Sequence, residues 1–91
     1  MKKIVIYSQS GCPYCEELKN LLQSEGVNYS VKDIDDNKED WNVISEHSGV
    51  KYVPTVLMVD TKDESGRVLA PDRDFDGMEE CVQHIMTDLR Y

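Results

Sequence analysis

Apolar positions along the chain fall into runs of two different periods, and the period separates strands from helices. Residues 2–7 hold Ile4, Val5, Ile6 and Tyr7 without interruption, a β-branched run that predicts a buried strand. After a Gly-Cys-Pro step, Leu18, Leu21 and Leu22 recur at helical spacing among Glu, Lys and Gln, and Gly26 stops the pattern. Residues 27–34 alternate through Val27, Tyr29 and Val31, predicting a second strand. Asp36 or Asn37 can cap a helix whose Trp41, Ile44 and Ser48 share a face, with Gly49 as its stop. Val53-Pro54 then leads into a third strand, Thr55-Val56-Leu57-Met58-Val59.

The polar stretch 60–66, with Asp63, Glu64, Ser65 and Gly66, reads as a hairpin turn before a short fourth strand, Arg67-Val68-Leu69. Residues 70–76 form an acidic loop containing Pro71. The last segment has the clearest pattern: Met78, Cys81, Val82, Ile85, Met86 and Leu89 fall at i, i+3, i+4, i+7, i+8 and i+11, a helix with Asp76 as its expected N-cap. The order β-α-β-α-β-β-α predicts an α/β domain with a four-stranded mixed sheet flanked by helices. No repeat or linker interrupts residues 1–91, so one domain is expected.

Composition narrows the function classes. A hydrophobic fraction of 40% supports a folded core. The net charge of -8 repels phosphates, so no nucleic-acid partner is expected. Met1-Lys2-Lys3 resembles the start of a secretory leader, but the apolar run behind it is too short. No stretch approaches the roughly 20 apolar residues of a membrane span, so no membrane partner is expected, and cytoplasmic residence is the default. Three cysteines do not suggest a secreted disulfide framework.

The chemistry concentrates in Cys12-Pro13-Tyr14-Cys15, where the first strand turns into the first helix. A helix N-terminus carries unpaired N–H groups and the positive end of the macrodipole. Thiolates in such positions are stabilised and become good nucleophiles. Pro13 suits the first turn because its missing N–H is not needed there. Cys12, at the exposed end, is the expected nucleophile, and Cys15, one turn deeper, is placed to resolve a mixed disulfide. A zinc half-site is the competing reading of a C-x-x-C. Zinc would need two more ligands, there is no second C-x-x-C, and His47 and His84 stand alone in separate predicted helices. No bound metal is expected. Cys81 lies on the apolar face of the last helix and reads as a buried small hydrophobe. Trp41 reads as core, or as a partial cap on the second helix. The acids Asp33, Asp35, Asp36, Glu39 and Asp40 lack the spacing of a calcium loop and read as a solvated face.

These residues together resemble the glutaredoxin family of the thioredoxin-fold superfamily. Cys12-Pro13-Tyr14-Cys15 matches the family's dithiol motif letter for letter, with Ser10-Gly11 before it. Val53-Pro54 matches its second motif, in which the proline is cis, and Asp76-Gly77 resembles a variant of its third, usually a Gly-Gly pair. The resemblance implies no bound cofactor and glutathione as cosubstrate. The tripeptide would pair with the main chain of Val53 beside Pro54 and lie along Tyr14. Its γ-glutamyl carboxylate would meet the N–H groups near Gly77, Met78 and Glu79, at a helix N-terminus. Gln9 stands where the family usually carries Lys or Arg, the cation for the glycine carboxylate. Tyr52 stands in place of Thr, and Asp76 in place of the first glycine. The segment 66–77 is several residues longer than the family's connection, and Arg73 within it could restore a cation.

The expected function is therefore a dithiol glutaredoxin, a monomer that carries electrons from glutathione to protein disulfides and glutathione mixed disulfides in cell redox homeostasis. The alternatives are a thioredoxin-like electron donor served by a flavin reductase, and a glutathione-ligated [2Fe-2S] carrier built on Cys12 of two protomers.

Overall fold

The computed structural model describes residues 2–62 and 65–90. Its elements are β1 (Lys2–Ser8), α1 (Pro13–Ser24), β2 (Ser30–Asp33), α2 (Lys38–Ser48), β3 (Thr55–Asp60), β4 (Ser65–Leu69) and α3 (Met78–Arg90). The four strands form one sheet in the order β2-β1-β3-β4. β1 pairs parallel with β2, with Ile6 opposite Val31, and antiparallel with β3, with Ile6 opposite Val56. β3 pairs antiparallel with β4, with Val56 opposite Leu69. The four-stranded mixed sheet expected from the order of elements, and the thioredoxin-like fold that the resemblance implies, are the ones observed.

Alternation sorts the strand residues between two layers. Ile4, Ile6, Val56, Met58 and Leu69 point to one face, where Leu18 and Leu22 of α1 and Met78, Cys81, Val82 and Ile85 of α3 complete a single core. Helices α1 and α3 touch each other across that face. Tyr7 points to the opposite face and packs against Trp41 of α2, with ring centroids 5.9 Å apart. The site at the start of α1 is thus held by a central strand covered on both sides.

Several sequence readings are refined. The second strand spans only Ser30–Asp33 rather than 27–34. Val27 and Tyr29 pack against the core ahead of it, while Val31 is exposed at 45%, because β2 is an edge strand with little covering it. Asn37 occupies the N-cap of α2 but makes no side-chain cap, since its amide donates to the Asp33 carbonyl instead. Gly49 ends that helix in the left-handed region, at φ 75°, as the sequence pattern required. α3 begins at Met78, and the Cys81 N–H donates to the Gly77 carbonyl at 3.1 Å, so Gly77 rather than Asp76 is its N-cap. Ser65 and Gly66 belong to β4 rather than to the turn, and Asp63 and Glu64 of that turn lie outside the described residues.

The acidic loop 70–76 contributes more to the core than its composition suggests. Ala70 and Phe75 are buried at 0% and 2% exposure, and Phe75 joins the main cluster. Arg73 organises this loop from outside: it donates to the Asp74 carboxylate, the Ser48 carbonyl and the Val68 carbonyl. Its guanidinium is engaged within the protein and is not the free cation for a ligand that the sequence allowed.

Candidate active site

The turn that delivers Cys12 depends on Gly11. The Cys12 N–H donates to the Gln9 carbonyl at 3.2 Å, closing a turn in which Gly11 sits at φ 79°. A third turn position in the left-handed region favours glycine, because an L side chain there is strained. Cys12 then falls at the N-cap of α1, Pro13 at its first position and Cys15 at its third. The Cys12 sulfur takes the part usually played by a serine or aspartate oxygen, accepting the Cys15 backbone N–H at 3.3 Å.

The two sulfurs meet. Cys15 donates its thiol proton to Cys12 Sγ at 2.7 Å, and both cysteines are free. Cys12 is half-buried, whereas Cys15 is fully buried under α1. Burial, followed by the hydrogen bond to Cys12, pushes the Cys15 thiol up to about 11 despite opposing contacts from the Gln9 backbone and the Ser8 side chain. At neutral pH Cys15 is therefore a proton-bearing partner aimed at the more accessible sulfur. Cys81, expected as a buried hydrophobe, is fully buried in α3, and burial pushes its thiol up to about 12.

A groove of about 330 Å³ opens beside the dithiol helix. Of the residues that the sequence assigned to a ligand, Tyr14, Val53, Pro54 and Met78 line it together. The Val53–Pro54 peptide is cis, and the Thr55 hydroxyl donates to the Tyr52 carbonyl across it at 2.8 Å. Gln9, Gly77 and Glu79 do not line this groove. Gln9 is exposed, Gly77 caps α3, and Glu79 borders a separate cavity with Leu21, Glu25 and Val82. The groove adds Pro71 and Asp72, which the sequence reading did not single out, and takes Tyr52 and Asp76 into its walls. Asp72 sits at φ 66°, a conformation that no sequence pattern advertises.

The acidic stretch before α2 is occupied with its own structure. Asp33 accepts the Asp35 N–H at 2.8 Å and the Ser10 hydroxyl at 3.3 Å, and Asp40 pairs with Lys32 at 2.8 Å. Among the described residues no group of three or more His, Cys, Asp and Glu is arranged to hold a metal ion. Among the same residues, no helix is long and apolar enough to cross a membrane.

A cis-proline facing a groove beside a capped dithiol, on a β2-β1-β3-β4 sheet, defines the thioredoxin-like class of redox proteins. The glutaredoxin family profile matches residues 4–62, and the chain belongs to that family. It is 36% identical over 53 residues to an N-acetyl-S-hydroxy-L-cysteine reductase of Bacillus subtilis, a match covering 58% of this chain and 57% of that protein. It is 34% identical over 58 residues to glutaredoxin 3 of Escherichia coli, covering 64% of this chain and 70% of that one. The chain thus spans little more than half the length of the Bacillus relative. Among solved structures, a mutant of a thioredoxin-like protein superposes with a TM-score of 0.65 at 26% identity, covering 92% of this chain and 99% of that one. A buckwheat glutaredoxin in complex with glutathione superposes with a TM-score of 0.54 at 26% identity, covering 60% of this chain and 53% of that one.

Proposed function

We propose that this chain is a one-domain, monomeric dithiol glutaredoxin of the cytoplasm that reduces protein disulfides and glutathione mixed disulfides and is re-reduced by glutathione. The observation that carries this reading is the pair of sulfurs 2.7 Å apart, with the outer one at the helix N-cap. The Cys15 N–H donates to Cys12 Sγ, which stands at the N-terminal end of α1. Cys12 attacks a disulfide sulfur, forms a mixed disulfide and expels the first thiol. Cys15 then attacks Cys12 Sγ, releases the second thiol and leaves the Cys12–Cys15 disulfide. Glutathione would lie along Tyr14, Val53 and Pro54, with a carboxylate toward the first turn of α3 around Gly77, Met78 and Glu79.

A second reading, a thioredoxin-like electron donor re-reduced by a flavin enzyme, is favoured by one specific observation. The groove is lined by Asp72 and Asp76 and by no Lys or Arg. Turnover of a glutathione mixed disulfide with glutathione and its reductase, set against turnover of a protein disulfide with a thioredoxin reductase, separates the two. Cys12→Ser abolishes both activities. Cys15→Ser spares turnover of the glutathione mixed disulfide and loses reduction of protein disulfides, since only the latter needs a resolving thiol. Equal losses in the two variants would overturn the division of labour.

A further inference from the structure

We propose that the groove selects polypeptide disulfides whose half-cystine is flanked by Lys or Arg, with Asp72, Asp76, Tyr14 and Tyr52 as its specificity-determining residues. The inference rests on the disulfide-reductase reading above and names the substrate class for that site.

The groove is lined by Tyr14, two residues beyond Cys12, by Tyr52, Val53 and Pro54, and by Pro71, Asp72 and Asp76 of the loop before α3. Tyr14 and Tyr52 hold their side chains largely in solvent, at 62% and 67% exposure, although each is a large ring that a core would accept. Exposed tyrosine faces attract ammonium and guanidinium groups through the ring quadrupole. Asp72 and Asp76 supply two carboxylates on the same walls, and neither is engaged by a hydrogen bond or ion pair of its side chain among the described residues. The loop that carries them is held from behind. Arg73 grips Ser48, Val68 and Asp74, and the Asp72 N–H donates to the Phe75 carbonyl at 2.9 Å, which keeps Asp72 in its left-handed conformation. Among the described residues no cation lines the groove itself. Arg73 is engaged by those contacts, and Lys51 lines an adjoining cavity that shares Tyr52, Pro71 and Asp72 with the groove. Carboxylates and aromatic faces, with no Lys or Arg among the groove's own lining residues, form a surface complementary to a positively charged chain.

The chemistry is that of the proposed function and balances without a further reactant. Cys12 Sγ attacks and breaks the substrate S–S bond, and Cys15 then attacks Cys12 Sγ and releases the second half. From the dithiol to the Cys12–Cys15 disulfide the protein gives up two electrons and two protons, and the substrate leaves as two thiols.

The test uses three symmetrical peptide disulfides, each a blocked tripeptide with cysteine at its centre and Lys, Ser or Glu on both sides. Reduced protein is mixed with each, and the rate is divided by that with dithiothreitol to remove intrinsic reactivity. Two exposed charge pairs predict about a 2- to 30-fold preference for the Lys peptide over the Ser peptide, with the Glu peptide slowest. The preference shrinks with salt. In Asp72→Asn/Asp76→Asn the Lys-to-Glu ratio falls toward unity; asparagine tolerates the φ of Asp72, so the loop is retained. Glu25→Gln/Glu39→Gln changes net charge equally outside the groove and keeps the ratio. Equal normalised rates for the Lys and Glu peptides in the wild type overturn the proposal. So does an equal loss of selectivity in both double variants, which would trace the preference to overall charge. If dithiothreitol reduces all three peptides and the protein reduces none, the disulfide-reductase reading itself fails and the groove assignment falls with it.

Discussion

Arg73 donates to the Ser48 carbonyl at 2.9 Å, tying the loop before α3 to the last turn of α2 across 25 residues of sequence. The same guanidinium holds Val68 and Asp74, so one side chain joins a helix end, an edge strand and the loop that walls the groove.

Removing it should be felt in stability first. Burial alone would raise the Asp74 pKa, but hydrogen bonds from Arg73 and from the Ala70 N–H outweigh it and hold the carboxyl below its usual 3.8. A depressed carboxyl stabilises the fold above its unfolded pKa and loses that contribution as pH falls through the folded value. Arg73→Ala should cost about 1–3 kcal/mol at pH 7, discounted for a guanidinium that is 39% exposed, and noticeably less near pH 3. Arg73→Lys should recover only part, because an ammonium cannot reach three acceptors with a planar fork. Urea melts of the three proteins at the two pH values check this. A loss independent of pH would mean that Asp74 is not its working partner.

The buried thiols make a second, alkaline prediction. Burial pushes Cys81 up to about 12 from 9.0, and Cys15 up to about 11. A group whose pKa is raised by folding contributes stability below its unfolded pKa and loses it as pH climbs toward the folded value. Between pH 9 and about pH 10.5, Cys81 alone should remove on the order of 2 kcal/mol. Cys81→Ala should be somewhat less stable at pH 7, from the small cavity, and should lose less over that window than the wild type. Comparing the two proteins cancels the lysines and tyrosines that titrate in the same range. Parallel pH curves would show that the Cys81 thiol does not feel its burial.

Alkylation should follow the same ranking. At pH 7–8 iodoacetamide should modify Cys12 and leave Cys15 and Cys81 protonated, enclosed and unmodified in the folded protein. Peptide mapping after brief labelling reads this directly, and early label on Cys81 would mean that α3 opens.

Gln9→Lys tests the glutathione assignment. Gln9 is exposed, and its carbonyl accepts the Cys12 N–H, so a lysine there would place a cation at the margin of the site. One new exposed pair is worth about 0.2–1 kcal/mol, roughly a 1.4- to 5-fold lower KM for glutathione. The gain should fade with salt, and the chemical step should hardly change. An unchanged KM at low salt would favour the flavin-reductase reading.

Local rules made much of this protein legible before its fold was known. Period and punctuation located all three helices and both ends of the dithiol turn, because helix starts, Gly stops and β-branched runs are decided within a few residues of backbone. The dithiol was readable for the same reason: Gly11, Cys12 and Pro13 hold their conformations through contacts no more than four residues away. Tertiary structure alone decided the rest. Val27 and Tyr29 pack ahead of β2 rather than within it, since an edge strand is defined by what lies beside it. Phe75 enters the core from an acidic loop, and Arg73 is drawn away from any ligand by carbonyls of Ser48 and Val68. Asp72 and Asp76 reach the groove that Tyr14 lines from roughly sixty residues further along the chain. The place of Cys12 is set by one turn of backbone, whereas the charge and shape of the groove come from segments that only folding brings together.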